Sequence, residues 1–121
     1  MAKHEKDNLA DVEELIRMGS PCLAICAGKH CAKAGATLVV HAAQSALQAT
    51  EIAVTYPVVL TRCQDHCDDA PALTLIPGAY PYLRLRPDTV RQVIAEHVRA
   101  GNPVLDLLPR RYRRKLERLQ D

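Results

Sequence analysis

The stretch Cys22-Leu23-Ala24-Ile25-Cys26-Ala27-Gly28-Lys29-His30-Cys31 decides the fold. Its first part, Cys22 to Ala27, is the longest apolar run in the chain and has the length of a buried strand. Six residues fall far short of the ~18 that a bilayer-spanning helix needs. Gly28 and Gly35 bracket a loop after the strand. Beyond it Val39, Ala43, Ala46 and Leu47 recur at helical spacing, with Gln44, Ser45 and Gln48 opposite, which predicts a helix over residues 35–49. A strand, a glycine-rich turn and a helix make the first half of a β-α-β unit.

Outward from this unit the chain repeats the same grammar. Ile52–Thr61, with Val58-Val59-Leu60 at its centre, reads as a second buried strand, and Pro57 belongs at its start or on an edge because it has no N–H to donate. Ala72–Ile76, Pro77-Gly78 and Ala79–Leu85 read as a hairpin about a type II turn, with Leu83 and Leu85 on one face and Tyr82, Arg84 and Arg86 on the other. Pro87 opens a helix carrying the stripe Val90, Val93, Ile94, His97 and Val98, and Gly101 with Pro103 stops it. Upstream, Leu9, Val12, Leu15 and Ile16 mark a helical face within Asn8–Met18, ended by Gly19-Ser20-Pro21. The order is β-α-β then β-β-α with an extra helix at each terminus. This α/β arrangement matches a thioredoxin-like fold with a mixed four-stranded sheet.

At 121 residues, 48% hydrophobic and 25% charged, the chain has the composition of one ordinary domain. It contains no Trp or Phe and four Tyr, so its core is aliphatic and it offers few platforms for stacking bases. The charged start, Met1 to Asp7, lacks a signal peptide's apolar stretch, so the expected location is the reducing cytoplasm. Five cysteines in that compartment, at 22, 26, 31, 63 and 67, point to metal binding or redox chemistry rather than to structural disulfides.

The pairs Cys26-x4-Cys31 and Cys63-x3-Cys67 each fall in a loop beyond a predicted parallel strand, so both loops reach one edge of the sheet. Four thiolates on two loops suit a [2Fe–2S] cluster. They also suit a single structural zinc, which accepts four thiolates in a tetrahedron. No Cys-x-x-Cys precedes the first helix, which weighs against a thiol–disulfide enzyme. Cys22-x3-Cys26 mirrors the second pair's spacing, but a strand cysteine is ordinarily a small buried hydrophobe. His30 and His66 each precede a cysteine of these pairs and read as loop residues, and His97 reads as a core histidine.

The run 26–36, Cys-Ala-Gly-Lys-His-Cys-Ala-Lys-Ala-Gly-Ala, resembles the first motif of the thioredoxin-like [2Fe–2S] ferredoxins. The run 63–71, Cys-Gln-Asp-His-Cys-Asp-Asp-Ala-Pro, resembles the second. The hairpin, Leu85-Arg86-Pro87-Asp88 and Gly101-Asn102-Pro103-Val104 continue the likeness, which covers about residues 21–108. The spacings are also similar to those of the small iron–sulfur subunit of complex I and NAD-linked hydrogenases, which has a longer helical N-terminal region. The resemblance implies a [2Fe–2S] cluster on Cys26, Cys31, Cys63 and Cys67, and a one-electron carrier that is no enzyme by itself. Its partners would be a reductase and an acceptor, with a homodimer or a relay subunit of a larger dehydrogenase or hydrogenase as alternatives. A zinc-stabilised binding module is the alternative from outside that family.

The expected organisation is a helical extension over 1–20, the cysteine-bearing domain over 21–108 and a basic amphipathic helix over 109–121. In this helix Tyr112, Leu116 and Leu119 share a face. Residues 109–121 hold six basic and two acidic side chains, whereas 1–108 hold ten and twelve. The tail's first expected role is packing on its own domain or a second copy; its second is docking an acidic redox partner. No groove-reading motif accompanies the six cations, and no apolar span anchors them to a membrane.

Overall fold

The computed structural model describes residues 9–52, 55–64 and 69–120, and the side chains of Lys29, His30, Glu117, Leu119 and Gln120 are outside that description. Helix α1 (Val12–Met18) leads into strand β1 (Cys22–Cys26), a short helix α2 (Lys29–Lys33) and the long helix α3 (Ala36–Ala49). Strands β2 (Val58–Thr61), β3 (Leu73–Ile76) and β4 (Tyr80–Tyr82) follow, then α4 (Pro87–Val93), a π-helical continuation (Ile94–Arg99), a 3-10 turn (Leu105–Leu107) and α5 (Arg110–Gln120). The sheet runs β2-β1-β3-β4; β1 is parallel to β2 and antiparallel to β3.

Alternation along β1 sorts the core into layers. Leu23 and Ile25 point into the main cluster with Val39, Ala43 and Leu47 of α3 and Val90, Val93 and Ile94 at the second helix. Cys22 and Ala24 point to the opposite face, where Val12 and Leu15 of α1 cover them. Helix α1 is set locally by Asp11, whose carboxylate accepts from the Glu13 N–H at 2.9 Å, and by Gly19 in the left-handed conformation at its end. Ile16, expected on the covered face, is 41% exposed, because a single turn of a seven-residue helix meets the sheet.

Four other expectations change. Strand β2 is an edge strand, half covered, with Leu60 exposed; the segment before α1 pairs with its outer side through Ala10 and Leu60, 3.0 Å apart. The Gly28–Gly35 loop contains helix α2. The hairpin turns over Pro77–Ala79, with both Gly78 and Ala79 at positive φ, where a type II turn needs one such residue. Its second strand stops at Tyr82, and the chain bends at Arg84 (φ 52). Tyr82 is therefore fully buried in the main core, not on the face of Arg84 and Arg86, while Leu83 turns toward the cysteines.

The π-helical turn carries His97 against the hairpin. The His97 ring meets Tyr80 edge-on at 4.4 Å, and its Nδ1 lies 2.6 Å from the Tyr82 hydroxyl. That hydroxyl accepts from the Val104 N–H at 3.0 Å. The Tyr82 hydroxyl can donate to Nδ1 of the neutral ring while it accepts from Val104, so both of its hydrogen bonds are met at once. Burial lowers the His97 pKa and pushes that of Tyr82 up to about 12. The stripe suggested a core histidine; His97 is half-buried at the edge of the core, held by Tyr80 and Tyr82.

Candidate metal centre

Parallel pairing of β1 with β2 puts Cys26 opposite Thr61, so the chain leaves both strands at the same end of the sheet. The Ala27 N–H donates to the Thr61 carbonyl at 2.8 Å and extends the ladder one residue past Cys26. Gly28 then passes directly under Cys63. A Cβ placed on Gly28 would stand 3.2 Å from the Cys63 Cα and 3.3 Å from its Cβ and N. A side chain there would make the Cys63 backbone give by a few tenths of an ångström, so glycine suits this close approach of the two loops.

Helix α2 brings Cys31 back beside Cys26. Both are 2% exposed and share an apolar nest with Ala36 and Ala72, against which Ala70 and Leu83 pack. The Ala72 carbonyl accepts from the Cys26 N–H at 2.9 Å, and the Ala72 N–H points at the Cys31 sulfur. Burial, the hydrogen bond that the Cys31 thiol donates to Cys26, and the neighbouring sulfurs of Cys26 and Cys63 push the Cys31 thiol up to about 12, against the pull of the Ala72 N–H. A buried Cys31 thiol beside two other sulfurs ionises at the cost of burial and like charge, and the natural complement of such a site is positive charge. Cys63 is exposed at the rim.

Cys26, Cys31 and Cys63 are thus gathered at one end of the sheet, and Cys67 lies outside the described residues, as do His66, Asp65 and Asp68. Cys22 is at the other end of β1, in the layer under α1, and in no disulfide. Burial raises its pKa too. Among the described residues, no three His, Cys, Asp or Glu side chains close around one point as ligands of a single ion would.

One supporting residue carries no motif signal. Gln64, next to Cys63, is 7% exposed and inserts its amide between three strands. Its Nε2 donates to the Ala24 carbonyl of β1 at 3.0 Å and to Thr61 Oγ1 of β2 at 2.8 Å. Its Oε1 accepts from Thr74 Oγ1 of β3 at 2.9 Å. The start of the second cysteine loop is pinned to the sheet by this amide. A polar residue beside a cysteine reads as an exposed loop residue, so only the fold reveals its role.

Among solved structures the chain is similar to the thioredoxin-like [2Fe–2S] ferredoxin from Aquifex aeolicus. One structure of the wild type aligns with a TM-score of 0.67 at 22% identity, over 73% of this chain and 94% of that one. A second gives 0.68 at 22% identity, over 73% and 88%. A variant of the same ferredoxin with one cysteine changed to serine gives 0.67 at 21% identity, over 73% and 96%. The fold is that of the thioredoxin-like ferredoxins. No protein-family model and no curated protein matches the sequence.

Proposed function

We propose that this protein is a one-electron carrier holding a [2Fe–2S] cluster on Cys26, Cys31, Cys63 and Cys67, with residues 21–108 as the cluster-bearing unit. The observation that supports it most is the gathering of Cys26, Cys31 and Cys63 from two loops at the end of two parallel strands. The donor set fits the group: soft thiolates, apolar cover from Ala36, Ala72 and Leu83, and the Ala72 N–H toward a sulfur. The ferredoxin fold of the Aquifex aeolicus structures adds to it.

When bound, such a cluster takes up and releases single electrons. The chain's own residues hold the sulfurs still and keep water from two of them. Gln64 ties the Cys63 loop to three strands, and Gly28 gives that loop room. A rigid ligand set needs little rearrangement between charge states, which suits outer-sphere transfer. In this reading no bond in a substrate is made or broken, so the protein is a carrier between a reductase and an acceptor rather than an enzyme. Thiols outside any disulfide at Cys22, Cys26 and Cys31 suit the reducing cytoplasm. No helix among the described residues is long and apolar enough to cross a membrane.

Electron paramagnetic resonance tests the proposal. Anaerobic protein reduced with dithionite should give a spin-half signal near about one spin per chain, and the oxidised protein none. A silent reduced sample would contradict it.

A further inference from the structure

Among the described side chains, Tyr112 and Leu116 hold helix α5 to its own domain with Arg113 half-buried beside them, and the other five cations are exposed. Tyr112 and Leu116, one turn apart, join the main core; the Tyr112 ring lies 5.4 Å from that of Tyr80, and its hydroxyl donates to the Gly78 carbonyl. Arg110, Arg111, Arg114, Lys115 and Arg118 are all exposed and form one wall of a groove of about 870 Å³. The opposite wall includes Pro81 and Leu83. Leu83 is the pivotal residue, because it also packs on the nest of Cys26 and Cys31. Asp69, the single acid among the described residues that line the groove, is bound to Arg84 at 2.9 Å, so none of the five cations is paired with it.

Resting on the electron-carrier reading, we propose that this groove docks the acidic face of a redox-protein partner and seats it against Leu83, above the cysteine nest. Complementary charge fixes orientation and speeds encounter, which is what a short-lived electron-transfer complex needs. Residues 1–108 carry a small excess of acid, so the chain's net positive charge comes from the segment that holds this helix. A protein surface suits the groove better than nucleic acid does. Pro81, Leu83 and Pro109 give the groove apolar lining beside the cations, and the one aromatic ring among its described residues, Tyr112, is committed to Tyr80 and has Lys115 Nζ 5.9 Å from its centroid. No ring remains to stack a base.

The test uses cluster-loaded protein and two small redox probes of opposite charge, hexacyanoferrate(III) and hexaammineruthenium(III). Three chains are compared: wild type, the groove variant Arg110→Glu/Arg114→Glu/Arg118→Glu, and a charge-matched control, Arg17→Glu/Arg91→Glu/Arg99→Glu, whose positions are exposed and outside the groove. Iron, sulfide and circular dichroism are measured on each. At low salt the reduced groove variant should be oxidised by hexacyanoferrate(III) roughly tenfold more slowly than the control. With hexaammineruthenium(III) it should be no slower. If the charge-reversed helix does not fold, Arg110→Gln/Arg114→Gln/Arg118→Gln gives the same comparison in the same direction. Equal rates for groove variant and control, with clusters intact, would overturn the docking surface and leave the carrier reading standing. Wild-type protein without iron and sulfide would overturn both. A labelled DNA duplex that binds at physiological salt where labelled deca-glutamate does not would overturn the protein partner in favour of nucleic acid.

Discussion

The side-chain amide of Gln64 donates to the carbonyl oxygen of Ala24, forty residues earlier in the chain, at 3.0 Å. The same amide reaches Thr61 and Thr74, so one side chain links β1, β2 and β3 beneath the loop that begins with Cys63. Replacing it with an apolar side chain leaves the Thr74 hydroxyl and the Ala24 carbonyl buried without this partner. Gln64→Leu should cost about 1–3 kcal/mol of stability, read from the urea midpoint. It should also speed cluster loss on incubation with a chelator. An unchanged midpoint and unchanged loss would remove Gln64 from the support of the site.

Gly28 and Cys63 test the loop contact. A methyl group on Gly28 meets the Cys63 backbone at 3.2 Å and forces one loop to give way. Gly28→Ala should destabilise by about 1–3 kcal/mol, as overpacking does, and Gly28→Val should block cluster assembly. Wild-type visible spectra from both variants would show that the approach is not required.

The ligand assignment separates Cys63 from Cys22, which the sequence already reads as a small buried hydrophobe. Cys63→Ser should bleach or blue-shift the visible spectrum. Cys22→Ala should leave it intact, because Cys22 lies under α1 at the far end of β1. Loss of colour on changing Cys22 would overturn the pairing of Cys26 with Cys31.

His97 makes stability depend on pH. Burial holds its folded pKa below the ordinary 6.5, so the unfolded chain binds the extra proton first as pH falls. The His97 contribution is complete above about pH 6.5 and is lost between that value and the lower folded pKa. Urea midpoints should fall over that interval, and His97→Gln, which keeps an acceptor for the Tyr82 hydroxyl, should show a shallower fall. Parallel profiles for the two proteins would contradict the buried neutral ring.

The fold was legible where sequence period and burial agree. Cys22–Cys26 is a central strand, and the 35–49 pattern became Ala36–Ala49 within a residue, because each faces a single dominant environment. It failed where one residue serves two surfaces. Tyr82 looked like the polar face of a long strand, yet the bend at Arg84 ends the strand and sends Tyr82 into the core. Val58-Val59-Leu60 looked fully buried, but an edge strand is covered on fewer sides than its composition suggests. The cysteine spacing carried much of the site, since spacing and parallel strands together decide which loops meet. Gln64 was invisible because its value lies in partners ten and forty residues away. The tail's two expected roles were not exclusive: Tyr112 and Leu116 pack, and five of the six cations remain exposed.

The most direct measurement is the content of iron, acid-labile sulfide and zinc in protein purified anaerobically without chelators. A [2Fe–2S] carrier predicts about two irons and two sulfides per chain with no zinc. About one zinc and no sulfide would contradict the electron-carrier account and make the four thiolates a structural zinc site.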